Sequence, residues 1–200
     1  MKRGFCLLFL ALSSVVLAGC ELALLGGGAA AITAIDDRRT SGTLLDDESI
    51  ERSVRRSVRE RYGTNTYVNV TSYSRAVLLT GEVPDEATKA QIEKMTLAIA
   101  NVRGVTNELQ VGSTSSFTER AGDSFITSKI KARLLDSNKV NPVHVKVVTE
   151  AGVVYLLGLV TETEANDAVE IARTTGGVVK VVKVFEYCKA GDGICRAPGE

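Results

Sequence analysis

Residues 47–58, DESIERSVRRSV, are matched 76 residues later by residues 123–134, DSFITSKIKARL. Apolar residues recur at every fourth position in both segments, namely Ile50, Val54 and Val58 in the first and Ile126, Ile130 and Leu134 in the second. This spacing predicts an amphipathic helix that buries one face. Asp47 and Asp123 precede the apolar residues, so we predict that they are the N-terminal caps of these helices.

The match between the two segments extends beyond the helices. The pattern Val-x-Val occurs at 68–70 and 145–147, VLLTGEV at 77–83 corresponds to VYLLGLV at 154–160, and Gly-Val occurs at 104–105 and 177–178. Alternating apolar residues predict a first strand, followed by a turn at 72–74 or 150–152 and a more buried second strand ending at Gly81 or Gly158.

A second helix and a closing strand complete each unit. The second helix is indicated by Ile92, Met95, Ile99 and Val102 in the first copy, and by the capping box Thr161-x-x-Glu164 in the second. The closing strands are GVTNELQV at 104–111 and GVVKVVKVFEY at 177–187. The sequence therefore predicts an α+β fold of two tandem αββαβ domains, at 47–112 and 123–187, with a linker at 113–122.

The amino terminus has the features of an export signal. Residues 2–3 are basic, and residues 5–17 form an apolar run that is too short to span a bilayer but suits a secretory signal. Leu17-Ala18-Gly19-Cys20 resembles the lipobox of bacterial lipoproteins. The resemblance implies cleavage after residue 19, acylation of Cys20 and, because Glu21 follows, export to the outer membrane. A plain secretory signal or an uncleaved anchor remains the alternative.

Charge and cysteine content narrow the possible partners. Without residues 1–19 the chain has 22 basic and 24 acidic residues, so no overall positive field favours nucleic acid. Cys188 and Cys195 flank a turn-like segment in an exported chain, which predicts a disulfide in the tail at 188–200. A metal site is the alternative, although the pair has no nearby histidine.

The αββαβ order, with glycine ending the second strand and Gly-Val opening the third, resembles the BON domain, a small α+β module of bacterial envelope proteins. The lipobox, the short linker at 20–46 and the two tandem copies together resemble the family of outer-membrane lipoproteins with two BON domains. The resemblance implies a periplasm-facing lipid-anchored protein that binds anionic phospholipid and supports outer-membrane integrity.

The first helix of the second copy carries a candidate lipid-binding surface. On a helical wheel Phe125 lies well away from the buried stripe, beside Lys129, and Lys131 and Arg133 follow. An exposed aromatic ring among cations suits contact with a membrane interface, and the resemblance implies an aromatic residue at this place. The alternative is that Phe125 packs locally at the start of the helix.

Other charged and reactive residues give weaker signals. A stripe on the first helix of the first copy, formed by Arg52, Arg55, Arg56 and Arg59, is interpreted as a solvated face, with phosphate binding as the alternative. His144 is the single histidine, and no spacing pairs a nucleophile with a base or two carboxylates, so we expect no enzyme, catalytic residue, cofactor or metal.

Two functions from different classes follow from these observations. In the first, the lipid-anchored protein docks its second domain on anionic phospholipid such as phosphatidylglycerol or cardiolipin. In the second, it is a non-catalytic scaffold that binds an outer-membrane assembly protein or a cell-wall protein.

Overall fold

A computed structural model describes residues 37–113, 115–189, 192 and 195. The predicted signal, the lipobox and Cys20 lie outside these residues. The first domain consists of α1 (Ser41–Tyr62), β1 (Tyr67–Tyr73), β2 (Ala76–Val83), α2 (Glu86–Leu97), β3 (Gly104–Asn107) and β4 (Gln110–Val111). The second consists of α3 (Phe117–Ser137), β5 (Val145–Glu150), β6 (Val153–Val160), α4 (Glu162–Arg173) and β7 (Lys180–Tyr187). The predicted α+β order is confirmed in both domains.

Each domain is built on one small mixed sheet. In the first domain β1 and β2 form an antiparallel hairpin, and β3 and β4 both pair parallel to β2. In the second domain β5 pairs antiparallel with β6, and β6 pairs parallel with β7. The parallel pairs follow from the connections through α2 and α4, since parallel neighbours need a crossover rather than a hairpin.

Some details of the elements differ from the predictions. The second strands continue two residues beyond Gly81 and Gly158, to Val83 and Val160. The closing strand of the first domain is divided into β3 and β4, because Leu109 leaves the strand to bury its side chain completely while the Asn107 carboxamide accepts a hydrogen bond from its amide. The closing strand of the second domain begins at Lys180, three residues later than predicted.

The predicted helix caps are wrong, and the correction has a tertiary cause. Thr40 and Ser116 cap α1 and α3, so both helices begin about two turns before Asp47 and Asp123. The aspartates instead accept hydrogen bonds from the turns between the first two strands. Asp47 accepts from the Ser74 and Arg75 amides at 3.0 and 2.7 Å, and Asp123 accepts from the Ala151 and Gly152 amides at 2.9 Å each.

The helices of each domain pack on one face of its sheet. In the first domain Ile50, Val54 and Ile92 are buried against Val70 and Leu79. In the second domain Ile130, Leu134 and Ala168 are buried against Val147 and Leu156. All of these residues lie at the positions expected from helix and strand periodicity.

The two sheets pack on each other through their opposite faces. Tyr73 and Leu78 of the first domain form a buried cluster with Tyr155 and Leu157 of the second. The Tyr73 hydroxyl accepts a hydrogen bond from the Leu159 amide at 3.2 Å, which links the domains across this contact. The described part of the chain is therefore a stack of four layers: helices, sheet, sheet and helices.

Two arginines from the segment predicted as a linker reinforce the contact between the domains. Arg38 donates to both carboxylate oxygens of Glu164 in the second domain, at 2.8 and 2.9 Å, and to the Leu159 carbonyl at 2.9 Å. Arg39 pairs with Asp47 of the first domain at 3.1 Å and lies 4.1 Å from the centre of the Tyr73 ring. Burial would raise the pKa of Glu164, but the hydrogen bonds and charge of Arg38 hold it below its ordinary value.

The described residues that follow β7 begin beside the second sheet. Cys188 and Cys195 are joined by a disulfide, as predicted, and the Cys188 amide continues the strand pattern by donating to the Val160 carbonyl at 3.0 Å. This hydrogen bond holds Cys188 beside the last residue of β6.

Candidate functional site

Helix α3 is held rigidly, so the residues on its outer side have fixed positions. The Ser116 side chain accepts from the Glu119 amide, and the Glu119 carboxylate accepts from the Ser116 amide, forming a capping box at the helix start. Ile130 and Leu134 are fully buried in the core of the second domain. Asp123 ties the helix to the turn between β5 and β6.

Phe125 and Lys129 lie side by side on the outer side of α3, where Phe125 is exposed and Lys129 is half-buried. The Phe125 side chain is 65% exposed, although phenylalanine is usually buried in folded proteins. The Lys129 ammonium lies 4.8 Å from the centre of the Phe125 ring, within the range of a cation–π interaction. The two residues are one turn apart on the helix, and the structure places them side by side, as the helical wheel predicts.

A loop between α4 and β7 extends this surface beyond α3. The Lys129 ammonium donates to the Gly176 carbonyl. Gly177 has φ of +100°, and a Cβ at this position would lie 3.1 Å from the Ile126 side chain, so glycine allows the loop to approach the helix. Val179 follows in the same loop and is 80% exposed. Sequence reasoning missed Val179 because alternation cannot tell which of two adjacent valines in a loop is buried.

Arg133 has partners within the fold. Its guanidinium donates to the Ile171 carbonyl at 2.7 Å, to the Thr175 hydroxyl at 2.6 Å and to the Thr174 hydroxyl at 3.0 Å. These groups lie at the C-terminal end of α4, where a cation also interacts favourably with the helix dipole. Arg133 therefore connects the two helices of the second domain, and its hydrogen bonds are directed at protein groups.

Lys131 is exposed but lies on another side of α3. It follows Phe125 by six residues, which places it roughly 120° away around the helix axis at 3.6 residues per turn. Leu135, one turn further on, is 64% exposed. Of the four residues predicted to contact lipid, Phe125 and Lys129 form a continuous surface, Arg133 borders it, and Lys131 is separate from it.

A group of carboxylates lies near the start of α3, at the contact between the domains. Glu150 at the end of β5 accepts a hydrogen bond from the Thr80 hydroxyl of the first domain at 3.3 Å. Burial, reinforced by the negative charges of Glu82 and Asp123, raises the pKa of Glu150 to about 7. The protonation of Glu150 therefore changes in the neutral range, in contrast to an ordinary glutamate.

The arginine stripe of the first domain lies on the outer side of α1. Arg52 pairs with Glu48 at 2.6 Å, and Arg55 pairs with Glu51 at 2.7 Å and also donates to the Val70 carbonyl. The four arginines and Glu60 line an open cavity of about 430 Å³: Arg52, Arg55, Arg56 and Arg59. The surface is solvated, as predicted, and it is concave.

The described residues hold neither a membrane span nor a metal cluster. No helix described between residues 37 and 189 is both long and apolar enough to cross a membrane. No group of three or more His, Cys, Asp or Glu side chains suited to a metal ion occurs in that part of the chain.

Comparison with known proteins identifies similar chains. The sequence matches the BON domain over residues 46–113 and 122–189. It is 38% identical over 177 residues to "Outer membrane lipoprotein DolP" of Haemophilus influenzae, a match that covers 88% of this chain and 92% of that protein. It is 33% identical to the "21 kDa hemolysin" of Actinobacillus pleuropneumoniae, covering 76% of this chain and 79% of that protein. It is also 33% identical to "Osmotically-inducible protein Y" of Escherichia coli, covering 70% and 72%.

Proposed function

The chain belongs to the BON-domain family, as a two-domain protein of the DolP type, and on this basis we propose that it is a lipid-anchored phospholipid-binding protein of the outer membrane. Acylated Cys20 anchors it facing the periplasm. The second domain docks on anionic phospholipid, such as phosphatidylglycerol or cardiolipin, through α3, and this binding supports outer-membrane integrity without catalysis.

One observation carries the docking surface: an aromatic ring is held exposed beneath an ammonium group on a rigid helix. If the Phe125 ring enters the headgroup region, its burial contributes roughly 1.5 to 3 kcal/mol. A lysine near an anionic surface contributes about 1 kcal/mol. Lys129 and Phe125 are adjacent, so both contributions can be realised in one orientation of the domain. Exposed Val179 adds apolar area from the neighbouring loop.

The anchor is tested by the variant Cys20→Ser in cells. We expect it to lose acylation and to leave the outer-membrane fraction, because the polypeptide surface alone binds membranes reversibly. The readouts are the mass of the mature protein and its distribution between membrane and soluble fractions. Recovery of the variant in the outer membrane at wild-type level would contradict the lipobox interpretation.

The docking surface is tested by flotation with lipid vesicles. The fragment should begin at Asp37, because Arg38 and Arg39 hold the two domains together and residues 38–200 form one compact unit. We expect this fragment to float with vesicles that contain phosphatidylglycerol or cardiolipin, and not with phosphatidylcholine alone.

Matched variants localise the contact. Phe125→Ala should reduce flotation, whereas Leu135→Ala should not, although both remove an exposed apolar side chain from the same helix. Equal flotation of wild type and Phe125→Ala, with both proteins folded, would contradict the proposed surface. If the fragment ignores every anionic vesicle but captures a defined envelope protein, the scaffold function is favoured instead.

A further inference from the structure

We propose that the arginine surface of α1, formed by Arg52, Arg55, Arg56 and Arg59, binds an acidic segment of another periplasm-facing protein. The orientation of this surface toward the periplasm rests on the proposed docking of α3 on the membrane. The chemistry of the surface does not depend on that docking.

The charge of the surface and the open space between its side chains suit carboxylates. The four arginines line a cavity of about 430 Å³. Within the described residues, neither Arg56 nor Arg59 forms an ion pair, and both side chains are exposed. An arginine guanidinium presents a planar set of donors that matches a carboxylate with two parallel hydrogen bonds. The surface therefore has two guanidinium groups ready for a ligand.

The second domain shows that the fold does not need these arginines. At the four equivalent positions, 76 residues later, α3 carries Ser128, Lys131, Ala132 and Leu135. Helix α3 nevertheless packs on its sheet in the same way as α1. Apart from Arg55, which also donates to the Val70 carbonyl of β1, the arginines are thus a property of this surface of the first domain and not a requirement of packing.

The layer order separates the arginine surface from the proposed membrane contact. Helices α1 and α3 lie in the two outermost layers, with both sheets between them. The outer sides of the two helices therefore lie on opposite sides of the stacked sheets. The field of an anionic membrane is screened over about 8 Å at physiological ionic strength. With α3 on the membrane, the ligand of α1 must come from the periplasmic side.

Acidic residues interleaved with the arginines favour a peptide over a flat phosphate surface. Glu48 is 68% exposed beside Arg52, and Glu60 borders the cavity. A membrane pressed against α1 would bring its phosphates onto these glutamates as well as onto the arginines. An extended peptide can direct its carboxylates to the arginines and place neutral side chains opposite the glutamates.

The test measures binding of a synthetic peptide by the full mature lipoprotein in neutral phosphatidylcholine nanodiscs. The probe is a short fluorescent peptide of alternating Glu and Ser, and the control peptide carries Gln in place of Glu. We expect salt-sensitive binding of the acidic peptide alone. Arg56→Gln with Arg59→Gln should weaken it about tenfold, the loss expected for two exposed charge pairs.

A matched control and a conservative variant make the result specific. Lys129→Gln with Lys131→Gln removes the same charge from α3 and should leave peptide binding unchanged. Arg56→Lys with Arg59→Lys keeps the charge but loses the planar donors, so it should bind with intermediate affinity. Thermal unfolding confirms that each variant is folded.

Three outcomes would overturn the proposal. They are equal binding of the two peptides, equal loss in the α1 and α3 variants, and self-association of the protein through α1 in sedimentation with no peptide bound. If the α1 variant loses flotation with anionic vesicles and keeps peptide binding, the surface is a phosphate site on the membrane side. If Phe125→Ala does not reduce flotation, the proposed function of α3 is wrong. Binding of the acidic peptide to α1 would still support the proposal made here.

Discussion

Helices α1 and α3 are equivalent elements of the two domains, related by a shift of 76 residues. They share the groups that attach each helix to its domain. These are the caps Thr40 and Ser116, the turn-binding Asp47 and Asp123, and the core-facing apolar residues, which are Ile50, Val54 and Val58 in α1 and Ile126, Ile130 and Leu134 in α3. The shared residues account for the position of each helix on its sheet.

The outer sides of the same helices differ. Where α3 carries Phe125, Lys129 and Arg133, α1 carries Ser49, Ser53 and Ser57. Where α1 carries its four arginines, α3 has a single lysine, at position 131. One scaffold thus presents an aromatic and cationic surface on one domain and a guanidinium-rich surface on the other. Most of the outer residues are not needed for packing, so these positions are where the two domains can differ in function.

The largest expected effect concerns the shared aspartates. Asp47 accepts three hydrogen bonds, from the Ser72 hydroxyl and from two amides, and also pairs with Arg39. Asp123 accepts two from amides. Removal of either carboxylate leaves its hydrogen-bond donors without a partner, which destabilises the folded protein. We therefore expect Asp47→Ala to lower the free energy of unfolding by about 4 kcal/mol and Asp123→Ala to lower it by about 2 kcal/mol. Urea denaturation measures both.

Replacement by asparagine is the control for this prediction. An asparagine side chain at either position would keep an acceptor for one amide, so Asp47→Asn and Asp123→Asn should each cost less than the alanine variant. A cost below about 1 kcal/mol for both alanine variants would show that the turns are held by other contacts.

The next effect tests whether the outer surface of α3 is sufficient for membrane contact. Phe125→Ala should weaken binding to anionic vesicles by roughly 1.5 to 3 kcal/mol, or about ten- to a hundredfold, at all salt concentrations. Introducing Ser49→Phe and Ser53→Lys into α1 of that variant should restore part of the binding, since Ser49 is exposed and the helices are equivalent. Vesicle titration measures both steps. Full loss with no rescue would show that α3 needs neighbours such as Val179.

The sequence predicts what depends on local periodicity and fails where tertiary contacts decide. The repeat, the αββαβ order, the Thr161 capping box and the disulfide follow from spacing along the chain. The sequence cannot place the caps, because aspartate, serine and threonine are all good caps and only the strand turn shows that Asp47 has another partner. The sequence predicts that β2 and β6 are the more buried strands. It does not show that helices cover one face of each strand and the opposite sheet covers the other, because this depends on how the domains stack.

The candidate site shows the same division. The helical wheel was sufficient to place Phe125 and Lys129 together, because both lie on one helix. It could not show that Arg133 is engaged by the end of α4, a contact 38 residues away in sequence. The contacts of the linker arginines are not predictable either, because Arg38 and Arg39 lie in a run of charged and turn-forming residues that has neither helix nor strand periodicity.

A smaller effect distinguishes the two domains at their contact. Tyr73 of the first domain and Glu150 of the second occupy equivalent positions at the end of the first strand. The pKa of Glu150 is raised from 4.5 to about 7, so the folded protein binds a proton more tightly than the unfolded chain. Stability should therefore fall as the pH rises from about 4.5 to about 7, by on the order of 1 kcal/mol once solvent screening is included.

The control for this pH dependence is the variant Glu150→Gln. Glutamine can still accept from the Thr80 hydroxyl but cannot titrate, so the difference between the two stability profiles isolates Glu150. Urea denaturation across this range supplies the profiles. Parallel profiles for wild type and Glu150→Gln would contradict the raised pKa.

The smallest expected effect separates two lysines of one helix. Lys129 lies over the Phe125 ring, whereas Lys131 is roughly 120° further around the axis at 3.6 residues per turn. With Phe125 in the interface, Lys129 lies at the headgroups and contributes about 1 kcal/mol, and Lys131 contributes less because the anionic field falls off within a Debye length. Lys129→Gln should therefore weaken vesicle binding more than Lys131→Gln at low salt, and both differences should vanish at high salt. The opposite order would mean that α3 docks through its Leu135 side, and would remove Phe125 from the centre of the contact.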